Sequence, residues 1–458
     1  MNPMARAKGK LPCCVLLAGA LALLPVLLFG AFSIARDIQL YGSIPDAYFD
    51  MDVSRVVDDW TSWDRSDRAR AHPLYKFIAF IGVPVHELFF GGEDRDSAAK
   101  ILSVGMMVLA GVLAGWLAWL VTGGSRRAAV FAMGLFGASY STLLLASFPD
   151  SASASAFTSL LPYVFLFHRV GRGFRGWEGV AWLAIGAVCF GITVTQVGHW
   201  FLALGYRLYG VFHEEEDRAR PLKVLKALAA LAALTLMLWG AAYVAMTAKE
   251  TIFKGAEKHY RIDRIIEREL RFVEIEEVME HPVHRLSVVS RHFLLYNFAA
   301  PEPTIVEWHH RGRPDRLFTS LSIAEEDLHN WPPWAMPLLA SHLLLLILLV
   351  RWHRVTAPIM LLWLAVLFQF FMHYLYGREF IIYSPNWHTL VVVIVAALLA
   401  PKLSGGSALF KGWLAVHLAA LLLFNLYSLN RAIEVFETDY PKQEVMEREE
   451  RYRQLGFY

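Results

Sequence analysis

The stretch "WEGVAWLAIGAVCFGITVTQVGHWFLALGYRLY", residues 177–209, decides how the whole chain is threaded. As one long helix it would cross a bilayer once and reverse the side of every later loop. Broken at "TQVGHW" it becomes two crossings, roughly 177–195 and 196–212, and the later loops keep their side. About 20 apolar residues span a bilayer as a helix, so 33 residues are too many for one crossing and somewhat short for two. The basic residues arbitrate, because Lys and Arg in short loops collect on the cytoplasmic side. With the break, "GGSRRAA", "HRVGRGFRG", "EEEDRARPLKVLK", "RWHRV" and "PKLSGGSALFKG" all share the side of Arg6, Lys8 and Lys10, and each contains Lys or Arg. The opposite short connections, "SFPDSAS", "TQVGHW" and "YGREFIIYSPNW", hold one Arg among them. Two crossings are therefore expected, with the N-terminus cytoplasmic.

The rest of the composition agrees with a multi-pass membrane protein. Of 458 residues, 56% are hydrophobic and 18% charged, against about 25% charged in ordinary soluble domains. The pattern predicts an all-α polytopic fold with about eleven spans, near 11–35, 97–121, 127–147, 152–169, 177–195, 196–212, 223–246, 334–351, 357–376, 382–400 and 408–428. Helices are required because lipid offers no partner for backbone groups. "ARAKGK" and the apolar run from Leu11 read as an uncleaved signal anchor. Cys13, Cys14 and Cys189 all fall in apolar segments, so neither a disulfide nor a zinc framework is expected. The net charge of +2 is uninformative, since such charges are sorted by side. No nucleic-acid surface is indicated.

Organisation follows from the hydrophilic insertions. Residues 1–246 form an N-terminal transmembrane module with a first outer loop at 36–96. Residues 247–332 are a large extracytoplasmic loop, 333–430 the C-terminal transmembrane helices, and 431–458 a charged helical tail. Within the first loop, "HPLYKFIAFIGVPVHELFF" (72–90) is apolar but interrupted by Lys76, Pro84, His86 and Glu87. That suits a helix lying on the membrane surface or re-entering it. "HFLLYNFAAPEPTIVEW" (292–308) is aromatic enough to lie on the same surface or cover a site.

Chemistry concentrates in the first loop. In "PDAYFDMDVSRVVDDW" (45–60), Asp50 and Asp52 alternate with Phe49, Met51 and Val53. Such a pair can hold a divalent cation such as Mg2+ or Mn2+ through oxygen ligands. Alternatively one carboxylate, its pKa raised by its neighbour and by apolar surroundings, can serve as a general base. A solvated acidic loop is the bland reading, and the interleaved apolar residues weigh against it. Asp58, Asp59, Asp64 and Asp67 read as surface charge paired with Arg65, Arg68 and Arg70. Asp150 in "SFPDS" is either an N-cap or a substrate contact. Arg378 in "YGREFIIYSPNWHTL" is placed to bond a phosphate bidentately or to snorkel to headgroups. Ser384, Asn386 and His388 are polar for the mouth of a late span. His199 and His373 fall in the same region without a role.

The order of one span, an acidic "YFDMD" motif, "HPLYK" and a surface helix, then "FPD" at a helix junction, resembles the GT-C superfamily of polytopic glycosyltransferases. The likeness is to the branch of protein O-mannosyltransferases and lipid A aminoarabinose transferases. "HPLYK" supplies His72, Pro73, Leu74 and Lys76 but lacks that branch's second proline, and the resemblance covers about the first 200 residues. It implies a polyprenyl-phosphate-linked sugar donor and inverting transfer, on the extracytoplasmic face, to a lipid, glycan or protein acceptor. Asp50 or Asp52 would accept the acceptor's proton or hold a metal, and Arg378, with His72 or Lys76, would neutralise the leaving phosphate. Two other readings stand beside it. An O-antigen ligase or polymerase would work through Arg285, Arg291, His292, His309 and His310 of the late loop. A transporter or flippase would show acids at mid-membrane and paired repeats, which this chain does not display.

Overall fold

The computed structural model describes residues 13–36, 51, 53–63, 75–172, 174–213, 226, 229–240, 243–244, 252, 273, 275–310, 313–323, 331–352, 356–376 and 380–454. Helices dominate: α1 (Cys13–Phe29), α2 (Val53–Thr61), α3 (Ala79–Phe90), α4 (Arg95–Val121), α5 (Arg126–Ala138) and α6 (Tyr140–Ser147). They continue as α7 (Ser151–Thr158), α8 (Leu161–Arg169), α9 (Gly176–Ile192), α10 (Val197–His213) and α11 (Ala229–Gly240). After the large loop come α12 (Ile275–Glu280), α13 (Pro282–Arg291), α14 (Met336–Arg351), α15 (Ala357–Leu375) and α16 (Phe380–Tyr383). The chain closes with α17 (His388–Gly405), α18 (Ala408–Thr438) and α19 (Lys442–Gln454).

Among the described residues six helices are long and apolar enough to cross a membrane, or seven if α5 and α6 count as one bent span. Several of the eleven expected spans are therefore built differently. The 127–147 stretch breaks at Ser139 with a 59° bend. The 152–169 stretch is two short helices, α7 and α8, and the described part of 223–246 holds the shorter helix α11. The expectation of an all-α fold needs one correction. The large loop contains an antiparallel hairpin, β1 (Thr304–His310) with β2 (Arg313–Ser322), in which Thr304 faces Ser322 and Val306 faces Ser320.

The decisive stretch does break. α9 ends at Thr193, whose N–H still reaches Cys189 O at 3.1 Å, and a 3-10 turn (Val194–Gln196) leads into α10. The two helices return antiparallel: Trp200 Nε1 donates to Trp182 O at 2.7 Å, and Arg207 meets Glu178 at 2.7 Å. Glu178 also receives Arg169 at 3.1 Å, so one buried carboxylate joins the ends of α8, α9 and α10.

α4 is the hub. Its N-cap Asp94 accepts from Ser97 N at 2.9 Å after a turn through left-handed Gly91 and Gly92 (φ 61° and 78°). Leu23 of α1 fills a notch over Gly111 and Gly137, where an added Cβ would stand 2.5 and 2.2 Å from its methyl carbons. Small residues at such crossings let apolar helices approach closely enough for dispersion to hold them.

The loops sort to two ends. At the basic end Arg127 Nη1 donates to Leu403 O at 2.9 Å and Ser404 O at 2.8 Å, while Lys402 lies over the Trp352 ring at 4.9 Å. At the opposite end, here the rim, the three short connections interlock: Ser155 with Thr193 at 2.9 Å, Ser159 with Thr389 at 3.1 Å, and Gln196 with Asn386. α18 runs past Arg431 to Thr438 before the tail helix α19 folds onto the hairpin. There Tyr440 OH donates to Thr319 O at 2.6 Å, and Arg448 lies 3.6 Å from Glu307.

This sorting makes a topological prediction. In a background lacking the three native cysteines, single cysteines at Gly123 and Ser404 should react with a membrane-impermeant maleimide only after cells are opened. Cysteines at Gly91 and Glu302 should react in intact cells. Labelling of Gly123 and Gly91 under one condition would contradict the arrangement.

Candidate active site

Four of the residues singled out from the sequence, Asp50, Asp52, His72 and Arg378, lie outside the described residues. Met51 and Val53, on either side of position 52, are described. Met51 and Val53 are 1% and 2% exposed, and Val53 N donates to Met51 O at 2.9 Å. The apolar partners that alternate with the acids are thus buried on both sides of position 52. α2 follows at once, turning Val53, Val56, Val57 and Trp60 inward and Arg55 outward, a 3.6-residue apolar face.

The segment is bolted down at its far end. Lys76, at the start of the surface helix, is buried, and its Nζ donates to Asp59 O at 3.0 Å and Ser62 O at 2.8 Å. It also stands 3.8 Å from Asp59 Oδ1. A cation at a helix C-terminus satisfies carbonyls left without intrahelical partners and meets the negative end of the helix dipole. Arg95, opening α4, pairs with Asp58 at 2.8 Å, and Lys100 one turn on donates to Ala35 O, just past the first span. Trp60 O would lie 2.0 Å from a Cβ at Gly82, so α2 and α3 touch backbone to backbone. Both ends of the first loop are thereby tied to α4.

This placement corrects two expectations. Asp59 is not surface charge but fully buried beside Lys76, and Asp58 pairs with Arg95. Lys76 itself, expected at a phosphate, applies its ammonium to the end of α2. A helix stands where the surface helix is expected: α3 is preceded by a 3-10 turn (Tyr75–Ile78) and exposes Phe80, Ile81, Leu88 and Phe89.

Asp150 is buried and caps α7, accepting from Ala152 N at 2.9 Å and Ser151 Oγ at 3.2 Å. Between α8, α10 and α15 runs a buried polar chain that sequence reading largely missed. Gln369 Nε2 bonds His199 Nε2 at 3.0 Å, and His199 Nδ1 bonds Tyr163 OH at 3.1 Å. An amide N–H donating to Nε2 leaves the Nδ1–H tautomer, which donates to the tyrosine. Polar residues inside apolar spans were the available signal, Gln369 in "LFQFF" above all. His388 is elsewhere. It is buried between Phe298 (ring centroids 4.7 Å) and Phe136 (6.4 Å), and no hydrogen bond among the described residues joins it to Lys76 or Asp150.

The late loop behaves unlike its sequence expectation. Residues 292–300 do not lie on a surface; they insert into the bundle as a π-helical turn (His292–Tyr296) followed by a reversal. Phe293 stacks on Trp387 at 4.1 Å and 7°. Arg285, buried, donates to Tyr374 O at 3.2 Å and His373 O at 3.4 Å and lies over the Phe380 ring at 4.6 Å. Burial, with Arg285 and Arg291 nearby, lowers the pKa of His292 to about 3. Among the described residues no group of three or more His, Cys, Asp or Glu side chains converges as a metal would require; Asp50 and Asp52 fall outside that set.

No family model and no curated protein matches the chain. Among solved structures it is similar to that of the Archaeoglobus fulgidus oligosaccharyltransferase, tethered by a disulfide bond to an acceptor peptide containing the NVT sequon. The identity is 12% and the TM-score 0.43, and the match covers 91% of this chain and 55% of that one. The chain thus spans little more than half that protein's length.

Two predictions follow from the geometry. Lys76→Met leaves the buried Asp59 without its nearest ammonium and should cost about 3 kcal/mol or more. Adding Asp59→Leu should return only the share owed to the carboxylate, since the Asp59 and Ser62 carbonyls still lack the ammonium, a coupling read from thermal unfolding of the four proteins in detergent. His292 gives the second. Below about pH 6.5 the unfolded chain takes a proton that the folded chain refuses down to about 3. Stability should therefore fall on acidification through that window, by up to about 1.4 kcal/mol per pH unit, and the slope should be shallower in His292→Gln.

Proposed function

We propose that the protein is a GT-C-type membrane glycosyltransferase that moves a sugar from a polyprenyl-phosphate donor to an acceptor at the extracytoplasmic rim. The observation that carries the reading is the clamp on the first outer loop. Met51 and Val53 are buried on either side of Asp52, and Lys76, Arg95 and Lys100 hold the segment's ends to neighbouring helices. A merely solvated acidic loop has no need of such fixing, whereas a general base must be held within hydrogen-bond reach of the proton it takes.

In this mechanism an acceptor hydroxyl attacks C1 of the sugar from the face opposite the phosphate. The C1–O bond to the phosphate breaks as the new glycosidic bond forms, and the configuration at C1 inverts. Asp52 or Asp50 takes the hydroxyl proton, and polyprenyl phosphate leaves with the bonding electron pair, its charge met by Arg378. His72 would stand beside the same phosphate. Lys76 and Asp150 serve instead as positioning residues, one holding the end of α2 and the other starting α7. Should the two acids hold Mg2+ or Mn2+, the ion would supply positive charge to the phosphate. The sorting of basic residues supports the extracytoplasmic side.

The test offers purified protein a panel of polyprenyl-phosphate sugars and acceptor extracts, with and without chelator. Asp52→Asn and Asp50→Asn are each compared with the unaltered chain. Transfer should fall by at least about 100-fold in one of them, the range for a lost general base. Full transfer by both variants, with loss on Arg291→Ala instead, would move the chemistry to the late loop and favour a ligase or polymerase.

A further inference from the structure

Among the described residues several buried polar atoms have no hydrogen-bond partner, some of them far apart, as at His86 and Gln369. Many surround the inserted segment. Among the described residues, neither side-chain atom of the fully buried Asn297 has a hydrogen-bond partner, nor does either ring nitrogen of His388, Tyr140 OH, Trp387 Nε1, His342 Nδ1 or Asn425 Oδ1. Each of these residues belongs to the segment or touches it. His388 and His342 flank the Phe298 ring at 4.7 and 5.2 Å, and Trp387 stacks on Phe293. Tyr140 N donates to Phe298 O at 3.1 Å, and Asn425 Nδ2 reaches the same carbonyl. Buried polar groups normally find partners, and a concentration without them calls for a reason.

The bonds that do seat the segment come from a broken helix. At Ser139 the bent span leaves Tyr140 N and Ser141 N without their helical partners, and Phe298 O and Asn297 O accept them at 3.1 and 3.2 Å. Asn425 Nδ2 holds the freed Ala138 O at 2.7 Å. A continuous α5–α6 would pair Tyr140 N with Phe136 O and Ser141 N with Gly137 O on its own, by the i→i−4 rule. The same backbone groups thus have two ways to be satisfied, one with the segment seated and one without it. A π-helical turn, rare and frequent at functional sites, lies on the segment itself.

We propose that residues 292–300 are a movable plug. Its withdrawal, with straightening at Ser139, opens a hollow beneath the rim for the phosphate-bearing end of a lipid-linked donor. The ligand class rests on the proposed function. The unpaired amide, indole, imidazole and phenol groups can donate to phosphate oxygens, and the apolar span walls suit the adjoining chain. Ser139 lies 13 residues up α5 from the basic end, about 20 Å at 1.5 Å per residue. That is beneath the surface of a hydrocarbon core roughly 30 Å thick, a depth an amphiphile's head-to-tail junction can reach and a free anion cannot.

Hydrogen exchange read by mass spectrometry on the full chain in nanodiscs tests this without any turnover. With no ligand, amides of 292–300 and 139–143 should exchange at least about tenfold faster than those of α17, since sub-global opening outpaces core opening. Asn297→Leu and, separately, His388→Leu remove unpaired groups from the closed interface and should each slow that exchange about tenfold. Adding a sugar-free polyprenyl phosphate should speed it, and inorganic phosphate should leave it unchanged. Protection of 292–300 equal to that of α17, or no response to polyprenyl phosphate, overturns the plug. So does unchanged or faster exchange in both variants. Because no glycosyl transfer is measured, a failed transfer assay would sink the proposed function and leave this result to stand or fall alone.

Discussion

A helix end inside an apolar bundle leaves carbonyls that neither lipid nor the helix itself can pair, and much of this structure is organised by how those carbonyls are met. Basic side chains meet them repeatedly. Lys76 holds the end of α2, Lys100 the residue past the first span, Arg285 the end of α15 and Arg127 the end of α17. Each comes from a different segment and so ties two elements together while satisfying an electrostatic need. Lys76, Lys100 and Arg285 are buried, where an unspent charge would be costly. A cation in an outer loop of a membrane protein is easily read as a phosphate ligand, and these cations show what else it can be.

That ambiguity marks the boundary of what the sequence conveys. The break between α9 and α10 was legible because charge sorting is a local count, made residue by residue along the chain. The surface helix was legible because Lys76, Pro84, His86 and Glu87 interrupt an apolar run. The alternation of Met51 and Val53 with acids pointed correctly to burial. The bend at Ser139 was not legible, since its N–H groups are claimed by carbonyls more than 150 positions away at Asn297 and Phe298. Asp59 was misread for the same reason: an acid beside Asp58 and near several arginines looks solvated until Lys76 folds over it. The hairpin escaped because its partners, Tyr440 and Arg448, come from the tail.

The two halves of the rim are held in different ways. Around the first loop Lys76 is paired with carbonyls, Arg95 with Asp58 and Lys100 with Ala35, although neither ring nitrogen of His86 in α3 has a partner among the described residues. Around residues 292–300, close ring packing coexists with side chains that have no partner among the described residues, as at Asn297 and His388. Interactions that are individually strong and mutually satisfied make an element rigid, whereas unpaired buried groups lower the cost of moving it.

Such a division suits a site that must keep a carboxylate in place while exchanging a bulky amphiphile. On the proposed mechanism the acids would need to stay at a fixed depth for proton transfer, and Lys100 and Arg95 of α4 hold Ala35 and Asp58 on either side of them in the chain. Access would have to come from somewhere else, because loosening α2 or α3 would also displace the acids. α5 and α6 are packed on α4 from another side, and the inserted segment bears on their bend rather than on α2. On the proposed plug, motion at Ser139 would act on α6, whose Leu145 O holds Ser103 of α4, while the bonds of Lys76 to Asp59 and Ser62 lie outside the moving pair.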